Sequence, residues 1–361
     1  MAMMQELFVE RFRGIRDLEL NELNKVNLIV GDNNCGKTSV LEALQLLTPF
    51  AGTGGIYRIA RQRESIRGYS SDSTYDGFLC MFPQDTEERL LSVKGICNNI
   101  SVSCEIKGTE KVVLADPQET HFVKTVRTSA LQETDGFEGK IFMQYGEESS
   151  VKQIDIHRFT RFTGAVKMRE KIYDIVYVSP FEHLKGDVIG SIIKNDGYKE
   201  ICLKALQLFD PNICDMMLFK SDVGNRPIEY LKHTRLGNMP LSTFGDGIKK
   251  VLVLCNAIAK AAGGILLIDE IETAIHKKYY DDIFRFIVKA CQQFDVQVFI
   301  TTHSLEAIDG LLATQDYDTQ ATEDSIHVIT LKQGEDKTYT RTLSGRYVAE
   351  NREAFGFEVR L

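Results

Sequence analysis

At 361 residues the chain is longer than one minimal domain and shorter than three, so one large domain or two lobes is expected. Its 43% hydrophobic and 26% charged residues exclude a wholly disordered or fibrous protein. With 43 basic and 51 acidic residues the net charge is −8, which excludes a global basic footprint for nucleic acid but not a local basic patch.

None of the eight cysteines (Cys35, Cys80, Cys97, Cys104, Cys202, Cys214, Cys255 and Cys291) falls in a CxxC pair, which argues against a zinc knuckle. Several sit in apolar runs and read as buried thiols, and a reducing cytoplasm fits that usage. The opening MAMMQELFVERFRG meets Glu6 and Glu10 before any long apolar core, unlike a signal peptide. The longest apolar stretch, VLVLCNAIA, is far below the ~20 residues of a membrane span.

In chain order, LFVERF, a turn at Gly14 and IRDLEL read as a strand meander. KVNLIV is short, apolar and unbroken, the pattern of a buried strand, and ends at Gly31. Val40, Leu41, Leu44 and Leu47 then recur at helical spacing until Pro49. RIARQRESIRG reads as a polar, basic loop. GFLCMF, RLLSVKGI, NISVSCEI, KVVLA and KIFMQYG read as short strands of an antiparallel lobe, and KIYDIVYVS as another buried strand. From Gly186 to about Phe219 the spacing predicts helix, a small insertion without sustained heptads. A helix over about 247–261, the strand GGILLIDE, a helix marked by Tyr280, Ile283, Phe284 and Ile287, and the strand VQVFITTHS predict a right-handed βαβ unit in a parallel sheet. SIHVITL, an exposed turn and KTYTRTL follow.

Four motifs carry chemistry. Gly31–Thr38, GDNNCGKT, fits G-x-x-x-x-G-K-[ST]. Gly31 and Gly36 let the backbone wrap a phosphate chain, while the N–H groups of Asp32, Asn33, Asn34 and Cys35 and the following helix start, including Ser39, point positive dipole at it. Lys37 would neutralise the β and γ phosphates and Thr38 would ligate magnesium. In ILLIDE, an apolar strand ends in two acids where open α/β sheets bind ligands. Asp269 is the expected second magnesium ligand and Glu270 the general base that polarises the attacking water. In TTHS, after the next strand, His303 is placed to contact the γ phosphate. LSTFGDGIKK offers backbone N–H groups from Gly245 and Gly247, and a hydroxyl from Ser242 or Thr243, or else is an ordinary helix cap.

Together these motifs resemble the ABC-type ATPase head. LFVERFRGIRDLEL, NLIVGDNNCGKTSVLEAL, LSTFGDG, LLIDEIETAIH and ITTHSLEAI are similar to its RecF, SMC and OLD-type branch. The resemblance covers about residues 1–50 and 240–310 and implies an α/β P-loop NTPase fold. That fold has a mixed or parallel sheet core (1–50 with 236–361), an antiparallel β lobe (51–180) and a small helical insertion (181–235). It implies ATP and Mg2+ as ligands and a head-to-tail homodimer or higher homo-oligomer, in which Ser242, Gly245 and Gly247 act in trans on nucleotide held by Lys37. Thr243 and Phe244 interrupt the usual serine–glycine turn, leaving open which hydroxyl reaches phosphate. Glu272–His276 replaces the usual small-residue turn and marks an expected subunit contact. Gln62 and Gln144 are the candidates for the family's inter-lobe glutamine, and Arg58, Arg61, Arg63 and Arg67 are solvated surface or a nucleotide, nucleic-acid or partner contact.

The expected function is a slow, regulatory ATPase switch that controls a separate effector, a nuclease or toxin in antiphage defence, since about fifty residues after the last motif cannot hold a Toprim nuclease. The alternative is a RecF-like, ATP-dependent DNA clamp. No membrane contact and a cytoplasmic location are expected, and no guanine-reading motif is visible.

Overall fold

The computed structural model describes residues 2–48, 52–63, 74–84, 88–117, 131–160, 173–184, 188–220, 227–317 and 324–360. β1 (Met4–Phe12) and β2 (Ile15–Leu20) form a hairpin. β3 (Val26–Val30) leads through the glycine-rich loop into α1 (Lys37–Leu46), followed by α2 (Gly52–Arg61) and α3 (Thr74–Leu79). Next come β4 (Arg89–Cys97), β5 (Ile100–Ala115), β6 (Gln132–Tyr145), β7 (Glu148–His157) and β8 (Ile175–Val178). After α4 (Ile189–Ile192) and α5 (Asp196–Gln207) come β9 (Ile213–Phe219), β10 (Ile228–His233) and β11 (Gly237–Pro240). The last third holds α6 (Asp246–Lys260), β12 (Ile265–Ile268), α7 (Tyr280–Gln293), β13 (Gln297–Thr301) and α8 (Leu305–Leu312), then β14 (Ile326–Gln333), β15 (Thr338–Ser344) and α9 (Gly345–Phe355).

The core sheet runs β15-β14-β3-β13-β12-β8; five strands are parallel and β15 is antiparallel at one edge. β3, β12 and β13 are buried at every position, as strands covered on both faces must be. The period of two divides their side chains: Val26, Leu28 and Val30 pack toward α5 to α8, while Ile29 packs toward α1 and the antiparallel sheet. That second sheet, β2-β1-β4-β5-β6-β7, lies across α1, so the phosphate-loop helix is sandwiched between two sheets. Gln297, fully buried, bonds through its amide to both the N–H and the carbonyl of Met4 and joins the layers.

Several elements differ from the sequence expectation. GFLCMF is not a strand: Thr74–Leu79 is a short helix whose Phe78 packs edge-on against Tyr57, Phe82 and Phe137. RIAR belongs to α2 rather than a loop, with Ile56, Ile59 and Ala60 on its buried side. The stretch 181–235 is not purely helical, because β9, β10 and β11 form a three-stranded antiparallel sheet against α4 and α5. β8 pairs with β12 in the core sheet, and the β1–β2 hairpin joins the antiparallel sheet through β4. Short apolar runs suit either a strand or a buried helix, and tertiary pairing decides between them. Among the described residues no helix is long and apolar enough to cross a membrane.

Candidate nucleotide site

Three adjacent strands, β3, β13 and β12, deliver their carboxyl ends to one place, and the loops that follow them carry the motifs. After β3 the chain must turn sharply. Gly31 has φ 141°, and a Cβ there would lie 2.4 Å from the Leu331 carbonyl oxygen. Gly36, at φ 100°, caps α1, whose amino end has no side-chain cap and no acid in its first turn. That end presents N–H groups and positive dipole with nothing of the protein's own to neutralise them, the setting for a phosphate chain. Lys37, the first residue of α1, folds its side chain back over the loop: its ammonium donates to the carbonyls of Gly31 at 2.8 Å and Asp32 at 2.7 Å.

The acids meet the loop directly. Thr38 Oγ1 donates to Asp269, 3.2 Å from Oδ1 and 3.0 Å from Oδ2. Asp269, almost buried, also accepts from Thr301 Oγ1 at 2.6 Å and from the Tyr177 hydroxyl at 3.0 Å. Burial first, then the Asp269 charge, pushes the Tyr177 phenol far above its ordinary range, so it remains a donor to that carboxylate. One hydroxyl and one carboxylate, with phosphate oxygens and water to complete an octahedron, fit magnesium. Among the described residues no cluster of three His, Cys, Asp or Glu could hold a metal on protein ligands alone.

Glu270 has φ 47°, a conformation that side chains with a Cβ seldom adopt. Its N–H donates to Thr301 Oγ1 at 2.9 Å, so one threonine holds both acids of the pair. The His303 side chain is 52% exposed, and its Nδ1 lies 3.2 Å from Glu272 Oε1, which also accepts the His303 N–H at 3.1 Å. Arg360 donates to the His303 carbonyl at 2.8 Å while gripping both oxygens of Glu358. Asp32, Asn33, Asn34 and Cys35 wall a cavity of ≈ 250 Å³ with Arg360 on its other side.

Arg63, expected only as one of four basic side chains, reaches the site: it donates to Ser39 Oγ at 2.9 Å and to the buried Glu42 of α1. Arg13 pairs with the same carboxylate at 2.7 Å. Arg58 and Arg61 are exposed, and Arg67 lies outside the described residues. Gln62 adjoins Arg63, whereas Gln144 bonds to Gly146 in the β6–β7 turn of the antiparallel sheet. Sequence reasoning missed Tyr177 and the tether made by Thr301, although Thr301 stood inside the quoted TTHS.

The Ser242 turn does not join this cluster. Thr243 Oγ1 donates to the Pro240 carbonyl at 2.7 Å, while Ser242 is exposed and, among the described residues, forms no side-chain hydrogen bond. Gly245 is open, but a Cβ on Gly247 would lie 3.2 Å from the Ala274 carbonyl oxygen.

Comparison with known proteins agrees with this geometry. Residues 150–309 match the family model "AAA domain, putative AbiEii toxin, Type IV TA system", and residues 3–51 match "AAA ATPase domain". The chain is 25% identical to the ATP/GTP phosphatase of Helicobacter pylori, across 97% of this chain and 99% of that protein. It is 24% identical to the DNA replication and repair protein RecF of Lachnospira eligens, over 48% of this chain and only 46% of that protein. In fold it is similar to the Smc head domain of Pyrococcus furiosus, solved with the C-terminal domain of ScpA, at TM-score 0.50 and 10% identity over 99% of this chain and 100% of that one. With these matches, its loop, acid pair and sheet order make the chain an ATPase whose fold resembles the ABC-type heads of the RecF/SMC/OLD branch.

Proposed function

We propose that the protein is a nucleotide-driven switch: two copies close head to tail around Mg-ATP, hydrolysis reopens them, and the difference is read by a separate effector. The observation that carries this is the split of the site. The phosphate loop, Thr38, Asp269, Thr301 and Glu270 are bonded into one chain, while Ser242 and Gly245 are exposed and, among the described residues, make no hydrogen bond to it. An exposed small-residue turn with no bond to its own loop is suited to meet the nucleotide of another copy.

Within the site, Lys37 and the α1 amino end hold the phosphates, and Thr38 and Asp269 would hold magnesium. Bound there, the metal would withdraw charge from the phosphate oxygens. Glu270 would take the proton of the attacking water, and His303, fixed by Glu272, would contact the γ phosphate. Ser242, with its hydroxyl unengaged, is the hydroxyl offered in trans, and Gln62, beside Arg63, is the inter-lobe glutamine. Turnover is slow, and the effector is a nuclease or toxin of antiphage defence. The H. pylori relative's name covers both ATP and GTP, so both are substrates to test. Partial similarity to RecF supports a second reading, an ATP-dependent DNA clamp, against which the charge of −8 weighs.

A mixing experiment tests the switch. Lys37→Ala and Gly245→Asp are each expected to be inactive alone. Mixed, they form one intact composite site, so ATPase activity returns. No recovery at any ratio, with both variants folded, would refute closure in trans.

A further inference from the structure

His303 takes its position from side chains rather than from the sheet. Its N–H donates to Glu272 Oε1 at 3.1 Å, its Nδ1 lies 3.2 Å from the same oxygen, and its carbonyl accepts from Arg360 Nη1 at 2.8 Å. Among the described residues no backbone group bonds to His303, whereas the Thr302 N–H still pairs with the Ile29 carbonyl and the Ser304 carbonyl accepts the Ile308 N–H of α8. A backbone group in a turn is held by whatever partner it is given. Here one partner follows β12 and the other comes from beyond α9.

The route by which Arg360 arrives follows from the sheet order. α9 ends at Gly356, whose φ of 63° turns the chain back. The segment after it is pinned to the core sheet: Val359 is fully buried, and its carbonyl accepts from Thr330 Oγ1 of β14 at 2.6 Å. Thr330 is level with Val30, the last residue of β3. The sheet runs β14-β3-β13, and His303 lies just past the end of β13. Arg360 therefore reaches from β14, past the carboxyl end of β3 where the phosphate loop begins, to the turn after β13. The cavity of ≈ 250 Å³ that it shares with Asp32, Asn33, Asn34 and Cys35 marks that crossing. Glu358 aims the guanidinium: its carboxylate accepts from Nε and Nη2 at 2.8 Å each, a bidentate fork that leaves Nη1 for His303.

We propose that Arg360 is a positioning residue for hydrolysis: it crosses the phosphate loop and holds the His303 carbonyl, so that the imidazole is placed for the γ phosphate only while the segment after α9 is seated on β14. This rests on the reading above that His303 contacts the γ phosphate.

Arg360→Ala removes the clamp and leaves the Val359 anchor untouched. The Arg360 and Glu358 side chains are each about one-third exposed, so the urea midpoint should stay within about 0.3 M of the parental one. Affinity for a fluorescent mant-ATP probe should stay within about twofold, while kcat falls about tenfold to a hundredfold, the scale of a displaced catalytic group. If Arg360 acts through His303, the double variant His303→Ala/Arg360→Ala should have a kcat within about twofold of His303→Ala alone. Losses that multiply in the double variant, or a parental kcat for Arg360→Ala, would overturn the proposal. So would a lowered midpoint with weakened mant-ATP binding, which would make Arg360 a structural residue. Failure of the underlying reading registers on a different variant: a parental kcat for His303→Ala would remove that reading, and this proposal with it.

Discussion

Glu42 gives a quantitative test of how the fold supports the phosphate loop. Its carboxylate is fully buried on α1 and pairs with Arg13, 9% exposed, and Arg63, 45% exposed. Burial pulls the Arg13 guanidinium below its ordinary range, and Glu42 opposes that pull. Burial also works against the charge on Arg63, but hydrogen bonds to Glu42 and its charge raise it overall. Glu42→Gln keeps the shape and one acceptor but leaves these cations without a countercharge. Breaking a buried pair costs ~3–5 kcal/mol, and solvent screening of the half-exposed Arg63 favours the lower end. With a urea m-value of ~3 kcal/mol/M, a loss of ~3 kcal/mol moves the midpoint down by ~1 M. Circular dichroism during urea unfolding reads this directly. Arg63 would also lose the anchor that holds it on Ser39, so the KM for ATP should rise severalfold. A midpoint within ~0.2 M of the parental value would refute the pairing argument.

Thr301→Val removes the hydroxyl that accepts from the Glu270 N–H and donates to Asp269, with little change of volume. We expect kcat to fall about tenfold, at ~1–3 kcal/mol per unmet buried group, and the magnesium requirement to rise; unchanged magnesium titrations would contradict this. Lys250 predicts a pH dependence. Burial lowers its pKa from 10.5 to about 8, so between those values the unfolded chain binds more protons than the folded one, and stability rises with pH. The urea stability of the parental protein should therefore gain on Lys250→Met by up to ~3 kcal/mol from pH 8 to 10.5. A constant difference across that window would contradict it.

The phosphate loop and the acid pair, which the structure brings together through Thr38 and Asp269, were legible because their chemistry needs fixed residue types at fixed local spacing, and buried parallel strands announce themselves as unbroken apolar runs. Arg63, Tyr177 and Thr301 were not, because each reaches the site by tertiary pairing: α2 onto α1, β8 beside β12, β13 beside β12. ICDMMLF shows the limit of periodicity. Ile213 and Met216 satisfy a helical stripe, yet the segment is β9, paired along its length with β10. GFLCMF failed in the other direction, as an apolar run too short to distinguish a strand from one and a half turns of helix.

The central claim is that two copies close around nucleotide. Light scattering of Glu270→Gln, which should bind Mg-ATP without hydrolysing it, tests this most directly. The account predicts a mass at least doubled by Mg-ATP and unchanged by ADP, with Lys37→Ala unresponsive to either. The same mass with and without Mg-ATP, while nucleotide is demonstrably bound, would contradict it.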